Sequence, residues 1–192
     1  MGEALITPRE YEVKVRVEDL ESVERKLLSS GWRLEDVVVE EDRYVDLTHC
    51  AGSPARQIAL RVRLRKSLTK NTSTSELTFK GALIEEGVKA REEITTKLED
   101  PEKVTEILLL SGFPIITVRK KRRIYSTTES KARVYLDEVE GLGNYVEIEV
   151  MNPESREEYM KTLNQVKEEL GLGKEENIVK SYLELKMEGC GT

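Results

Sequence analysis

The sequence predicts an α+β fold: an antiparallel β-barrel or tunnel of about eight strands with a charged interior and amphipathic helices packed outside. Three observations lead there. Segment after segment alternates charged and apolar residues with a period of two, the charges in each are mixed in sign or strongly basic, and stretches of helical periodicity lie between them. A single strand of this kind is most simply an edge strand with one face in water. When the pattern recurs in every strand, the sheet can curl around its charged face.

The first strand is "EYEVKVRV" (10–17), with Glu10, Glu12, Lys14 and Arg16 on one face and Tyr11, Val13, Val15 and Val17 on the other. "VEDLESVERKLLSSGW" (17–32) has an acidic start, Leu20, Val23, Leu27 and Leu28 at helical spacing, and a Gly31 stop. Trp32 after it reads as a packing residue, and Tyr44 and Asp46 in "DRYVD" as strand packing or the lining of a tunnel mouth. "HCAGSPARQ" (49–57) and the Ser/Thr-rich "LTKNTSTSE" (68–76) read as loops, with His49 and Cys50 outside any catalytic work.

"IALRVRLRK" (58–66) sets Arg61, Arg63 and Arg65 against Leu60, Val62 and Leu64, and "SELTFKG" (75–81) sets Glu76, Thr78 and Lys80 against Leu77 and Phe79. In "VKAREEITTKL" (88–98), Lys89, Arg91, Glu93 and Thr95 share a face. "DPEKVTEILLLSGF" (100–113) repeats the grammar of the first helix, with Asp100 as N-cap and Pro101 at the first helical position. The chain therefore reads as a duplicated strand and helix unit, one half starting near Glu10 and the other near Arg91.

"ITVRKKRRIYS" (116–126) carries charges on both faces, so periodicity leaves its phase open. "ARVYLDEV" (132–139) places Asp137 at the end of a strand, and "NYVEIEVM" (144–151) sets Tyr145, Glu147 and Glu149 against Val146, Ile148 and Val150. The "GLG" at 141–143 is too short for a nucleotide fingerprint and reads as a tight turn. Two further helices are predicted, over 152–173 and 175–187.

Composition narrows the function. The length of 192 residues fits one domain spanning 1–192, and a net charge of −6 offers no global field toward nucleic acid or an anionic membrane. No stretch reaches the roughly 18 apolar residues of a membrane span, and the amino terminus lacks the regions of a signal peptide, so a cytoplasmic protein is expected. Cys50, Cys190 and the single His49 have no metal-ligand spacing, which argues against zinc. Assembly stays open, a homodimer included.

Closing the sheet removes exposed edges and leaves the helices to cover its apolar outside. Burying many unpaired charges is prohibitive, so such an interior has to be wet, internally paired and completed by a charged ligand.

In order along the chain, "EYEVK", "ALRVR", "LTFKG", "KAREE", "VRKKRRIY", "VYLDEVEGLGNYVEIEV" and "SYLEL" resemble the motifs of the CYTH superfamily, the triphosphate tunnel metalloenzymes, over about residues 10–187. The wording is closer to the class IV adenylate cyclase branch than to the mammalian thiamine triphosphatase branch. The resemblance implies a divalent metal, Mg²⁺ or Mn²⁺, held by Glu10, Glu12, Glu147 and Glu149. It implies triphosphate binding by Lys14, Arg61, Arg63, Lys80, Arg91, Lys120 and Arg122. Glu93 and Asp137 match further acidic positions, which with Glu10, Glu12 and Lys14 make the candidate catalytic set. It also selects Lys120, Arg122 and Tyr125 as the matching phase, leaving Arg119, Lys121 and Arg123 outward and solvated.

The implied activity is conversion of ATP to cyclic AMP and pyrophosphate. Alternatives are hydrolysis of inorganic triphosphate, thiamine triphosphate or a nucleotide, and a non-catalytic polyphosphate or nucleotide binding module.

Overall fold

Among the described residues the alternating segments form eight strands: β1 (Arg9–Val17), β2 (Arg33–Asp46), β3 (Ala59–Ser67), β4 (Ser73–Glu85), β5 (Val88–Lys97), β6 (Ile115–Ser126), β7 (Ala132–Val139) and β8 (Gly143–Val150). Four helices accompany them in the described residues: α1 (Leu20–Ser29), α2 (Pro101–Leu110), α3 (Arg156–Glu169) and α4 (Tyr182–Gly189). The computed structural model describes residues 9–47, 58–85 and 88–189, with side chains throughout these except at 9–10, 46, 82–85 and 88–91. The 49–57 segment expected as a loop lies outside the described residues.

The strands pair in the order β1-β5-β4-β3-β2-β6-β7-β8, all antiparallel, and β8 pairs back onto β1, so the barrel closes. The ring bears out the duplication. Exchanging β1 with β5, β2 with β6, β3 with β7 and β4 with β8 returns the same neighbours, and the halves meet along β1/β5 and β2/β6. Each half contributes the same strand–helix–strand start, β1-α1-β2 and β5-α2-β6.

Val13 and Val15 of β1, Val134 and Leu136 of β7, and Val146 and Ile148 of β8 face outward. Leu20, Val23 and Leu27 of α1 and Leu163 and Val166 of α3 cover them in the main hydrophobic core. Trp32 joins this core and donates its indole N–H to Glu169 at 3.2 Å. Asp19 caps α1 by accepting from the Ser22 amide, and Gly31 ends it at φ 83°. Leu27 is fully buried here, so Leu27→Ala is expected to cost about 2–5 kcal/mol, read as a lowered urea midpoint with an unchanged slope.

Three segments depart from expectation. Only Thr105 of α2 is buried, while Ile107, Leu109 and Leu110 are exposed, so α2 is not the second cover its likeness to α1 suggested. Its Leu108–Leu110 run spreads apolar groups around the helix, and Arg43 grips only its first turns, through Glu102 and Thr105. Residues 73–76 belong to β4, paired with Lys66 through Arg63 of β3, so the Ser/Thr-rich turn is shorter than expected. The helix predicted over 175–187 begins at Tyr182. The residues before it form a strap in which Ile178 and Lys14 exchange backbone hydrogen bonds of 3.0 and 2.8 Å. The strap takes the edge of β1 just past the described β5 pairing, whose register ends at Glu12.

Candidate functional site: the charged barrel interior

The inward face of β3 carries Arg61, Arg63 and Arg65, and that of β6 carries Lys120 and Arg122. With Lys14 of β1 and Lys80 of β4 these cations line a cavity of about 140 Å³ inside the barrel. Glu12, Glu147 and Glu149 share the lining, as do Tyr44, Tyr135, Ser181 and Tyr182. Nine of the thirteen residues singled out in the sequence therefore line one cavity.

The other four divide into two kinds. Glu93 and Asp137 lie behind the lining: Glu93 pairs with Lys80, and Asp137 is fully buried against Arg122. The side chains of Glu10 and Arg91 lie outside the described residues, though backbone register sets the two positions opposite each other between β1 and β5.

The interior charges form two sets. On the β1–β8 side, Lys14 is 2% exposed and sits 3.2 Å from Glu12 and 2.9 Å from Glu147. Arg122 grips Asp137 with two hydrogen bonds of 2.6 Å and reaches Glu147 at 3.0 Å. Tyr182 donates its hydroxyl to the same Asp137 at 2.7 Å. Burial, with the charges of Asp137 and Glu147 adding to it, pushes that phenol well above its usual range, so it stays a donor.

The Tyr182 ring also lies beneath two cations, with Lys14 Nζ at 5.0 Å and Lys120 Nζ at 5.6 Å from its centroid. It packs against Tyr145 and closes one end of the barrel together with Tyr44, Val118 and Val139. Val38, Ile124 and Tyr135 pack together as a separate small cluster.

The second set was missed in the sequence. Glu40 and Asp42 of β2 are both fully buried between the basic strands β3 and β6, with Glu40 opposite Arg65 on one side and Lys120 on the other. Lys120 Nζ lies 2.8 Å from Glu40 and 3.0 Å from Asp42, and Arg63 binds both Asp42 oxygens at 2.6 and 2.8 Å. The signal was present as alternation of Val38, Glu40, Asp42 and Tyr44. It was hidden because the outward residues between them, Glu41 and Arg43, are charged as well.

Burial alone would raise the Glu40 and Asp42 carboxyls, but Arg63 and Lys120 outweigh it and hold both well below the carboxylate range. Their folded values lie under the ordinary 4.5 and 3.8, so the stabilisation they carry is complete above about pH 5 and drains away as pH falls through and below that range. Denaturant unfolding at stepped pH is expected to show the midpoint falling steadily below about pH 5.

The phase expected for "RKKRR" is found for its two cations: Lys120 and Arg122 line the cavity, while Arg119 and Lys121 are exposed. Arg123 points outward but is not solvated, because it is half-buried against Glu24 of α1. Tyr125 shares that outer face, is buried in the main core and donates to the same Glu24. The "GLG" turn is also as read, with Gly141 and Gly143 at φ 77° and 99° joining β7 to β8.

Glu12 and Glu149 are direct partners across the β1–β8 ladder, and this pair could hold a divalent ion. Carboxylates directly opposite each other repel unless a cation comes between them. Tyr135 donates its hydroxyl to Glu149, orienting it. Among the described residues no three acidic, histidine or cysteine side chains converge. Mg²⁺ commonly takes only one or two carboxylates and completes its shell with water and substrate phosphates, so this oxygen-only pair fits it.

Residues 8–182 match the CYTH domain family. A Methanocaldococcus jannaschii protein described as "Putative adenylate cyclase MJ0240" is 31% identical over 180 residues, covering 92% of this chain and 98% of its own. The PH1819 protein of Pyrococcus horikoshii OT3 superposes with a TM-score of 0.76 at 29% identity, covering 94% of this chain and 99% of its own. A Hippeastrum protein, HpAC1, described as an adenylyl cyclase candidate with a dominant triphosphatase activity, shares the fold at 20% identity and a TM-score of 0.64, covering 94% and 96%. The chain belongs to the CYTH family.

Proposed function

We propose that this chain is a divalent-metal-dependent enzyme acting on a triphosphate, with an adenylate cyclase-like conversion of ATP to cyclic AMP and pyrophosphate as the first reading. The observation that carries the triphosphate is the convergence of Lys14, Arg61, Arg63, Arg65, Lys80, Lys120 and Arg122 on one cavity. A triphosphate brings about four negative charges near neutral pH, and guanidinium forks and ammonium groups match its oxygens. The cyclase reading is supported by the name of the Methanocaldococcus relative.

In this reading Lys14, Arg61, Arg63, Lys80, Lys120 and Arg122 grip the phosphate chain, and Arg91 extends the grip on β5. Asp137 acts as a positioning residue, since it fixes the Arg122 fork and the Tyr182 hydroxyl rather than facing the cavity. Glu93 does the same for Lys80. Tyr182 bars water from one end of the interior. Glu12 and Glu149, with Glu10 and Glu147 beside them in the ladder, would hold Mg²⁺ or Mn²⁺. Bound there, such an ion would supply positive charge to offset what develops on the phosphate chain during transfer.

Hydrolysis of a triphosphate is the second reading, and the size of the interior favours it. About 140 Å³ is small beside the 300–1,000 Å³ of typical ligand pockets, and suits a phosphate chain better than a whole nucleotide. The two reactions share the grip and differ in which phosphorus meets a nucleophile.

Incubation with ATP, inorganic triphosphate and thiamine triphosphate, each with Mg²⁺ or Mn²⁺, separates them. Cyclic AMP with pyrophosphate establishes the cyclase. Orthophosphate, released fastest from one of the smaller substrates, establishes the triphosphatase. Tight triphosphate binding without any product would leave a binding module.

A further inference from the structure

The two halves of the duplicated barrel carry opposite signs at corresponding places. On β2 the inward residues are Glu40 and Asp42, and on its counterpart β6 they are Lys120 and Arg122. β2 and β6 are neighbours, and the basic β3 flanks β2 on its other side, so the two acids sit between two rows of cations.

Neither acid lines the cavity, while Arg63, Arg65 and Lys120, which they hold, all do. The acids therefore stand behind the cations and do not meet a ligand. Asp42 takes the Arg63 fork in directed hydrogen bonds. Glu40 is different: it lies 3.1 Å from Arg65 Nε, 3.4 Å from Arg63 and 2.8 Å from Lys120, yet neither of its oxygens has a partner in hydrogen-bond geometry. Charge gathers these cation heads on Glu40 without directed bonds, and an anion in the cavity competes with this buried carboxylate for them, which weakens its binding.

Resting on the triphosphate reading, we propose that Glu40 is a built-in counter-anion. It keeps Arg65, Arg63 and Lys120 gathered at the cavity wall while the site is free, and it limits their field so that the polyanionic product leaves. Seven cations facing one small cavity would otherwise bind pyrophosphate or phosphate too tightly for turnover. Glu40 is thus a positioning residue that sets the balance between substrate capture and product release, and Asp42 is the rigid anchor beside it.

The test is Glu40→Gln, which keeps the shape and an acceptor oxygen but removes the charge. Titration calorimetry with inorganic triphosphate and with pyrophosphate, without metal, is expected to show both binding at least tenfold tighter than to the wild type. Steady-state kinetics are expected to show kcat and KM falling together, with pyrophosphate a stronger product inhibitor. Glu40→Asp, which keeps the charge, is expected to retain wild-type affinities.

Thermal unfolding provides a second readout: inorganic triphosphate should raise the midpoint of Glu40→Gln by more than it raises that of the wild type, because the added anion replaces the lost one. A variant that folds only with triphosphate present supports the proposal in the same way. Binding equal to or weaker than wild type, or a variant that stays unfolded with triphosphate, overturns it and leaves the triphosphate reading intact. If the wild type itself binds no triphosphate, both fall.

Discussion

Arg122→Ala is expected to lower the unfolding free energy by about 3–5 kcal/mol and to take turnover below detection. The side chain has two buried carboxylates to answer for, gripping Asp137 through both oxygens and reaching Glu147. Its removal leaves those charges with less compensation in a region where Asp137 is fully buried, and partner removal from such pairs costs far more than an exposed ion pair contributes. Arg122→Lys should fall between the two, because an ammonium is a point charge and cannot reproduce the fork. Denaturant unfolding and product assays on the same preparations check both variants. Stability within about 1 kcal/mol of wild type would show that the network is not what holds this wall together.

Glu149→Gln is expected to behave in the opposite manner. Activity should drop about 10²–10³-fold while the fold is kept, because the amide oxygen still accepts from Tyr135 and the like-charge opposition to Glu12 is relieved. Part of the lost activity should return at higher Mg²⁺ or Mn²⁺, since the change weakens a metal ligand and leaves the cationic grip in place. Glu12→Gln should show the same loss, with more effect on stability because Glu12 also holds Lys14. Full metal-dependent turnover in either variant would remove these carboxylates from the metal reading.

The architecture was legible where the outward residues are apolar. In β1, β3 and β8 the alternation is clean, and Glu12, Lys14, Arg61, Arg63, Arg65, Glu147 and Glu149 read from it line the cavity, while Arg16 at the end of β1 is exposed. It was illegible in β2, where Glu41 and Arg43 face outward to pair with Arg119 and Glu102, so charges stand at successive positions and the period of two disappears. The consequence was the loss of Glu40 and Asp42, the acids that hold three of the cations.

The strap before α4 was misread for a different reason. Its conformation is set by distant partners: the backbone exchange between Ile178 and Lys14, and Lys167 donating to Asn177 and to the Glu175 carbonyl, none of which local periodicity registers. Tyr182 was visible within the "SYLEL" segment, but its place under two lysines and against Asp137 depends on the whole barrel.

In the proposed function a triphosphate is held inside the barrel by the inward phase of β6. Lys120 and Lys121 are adjacent in sequence and similar in charge, but Lys120 lines the cavity and Lys121 is exposed outside. The decisive measurement is calorimetric titration of inorganic triphosphate into Lys120→Met and Lys121→Met, each verified as folded. Binding should be lost in Lys120→Met and unchanged in Lys121→Met; equal weakening of both would place the anion on the outer surface and overturn the proposed function.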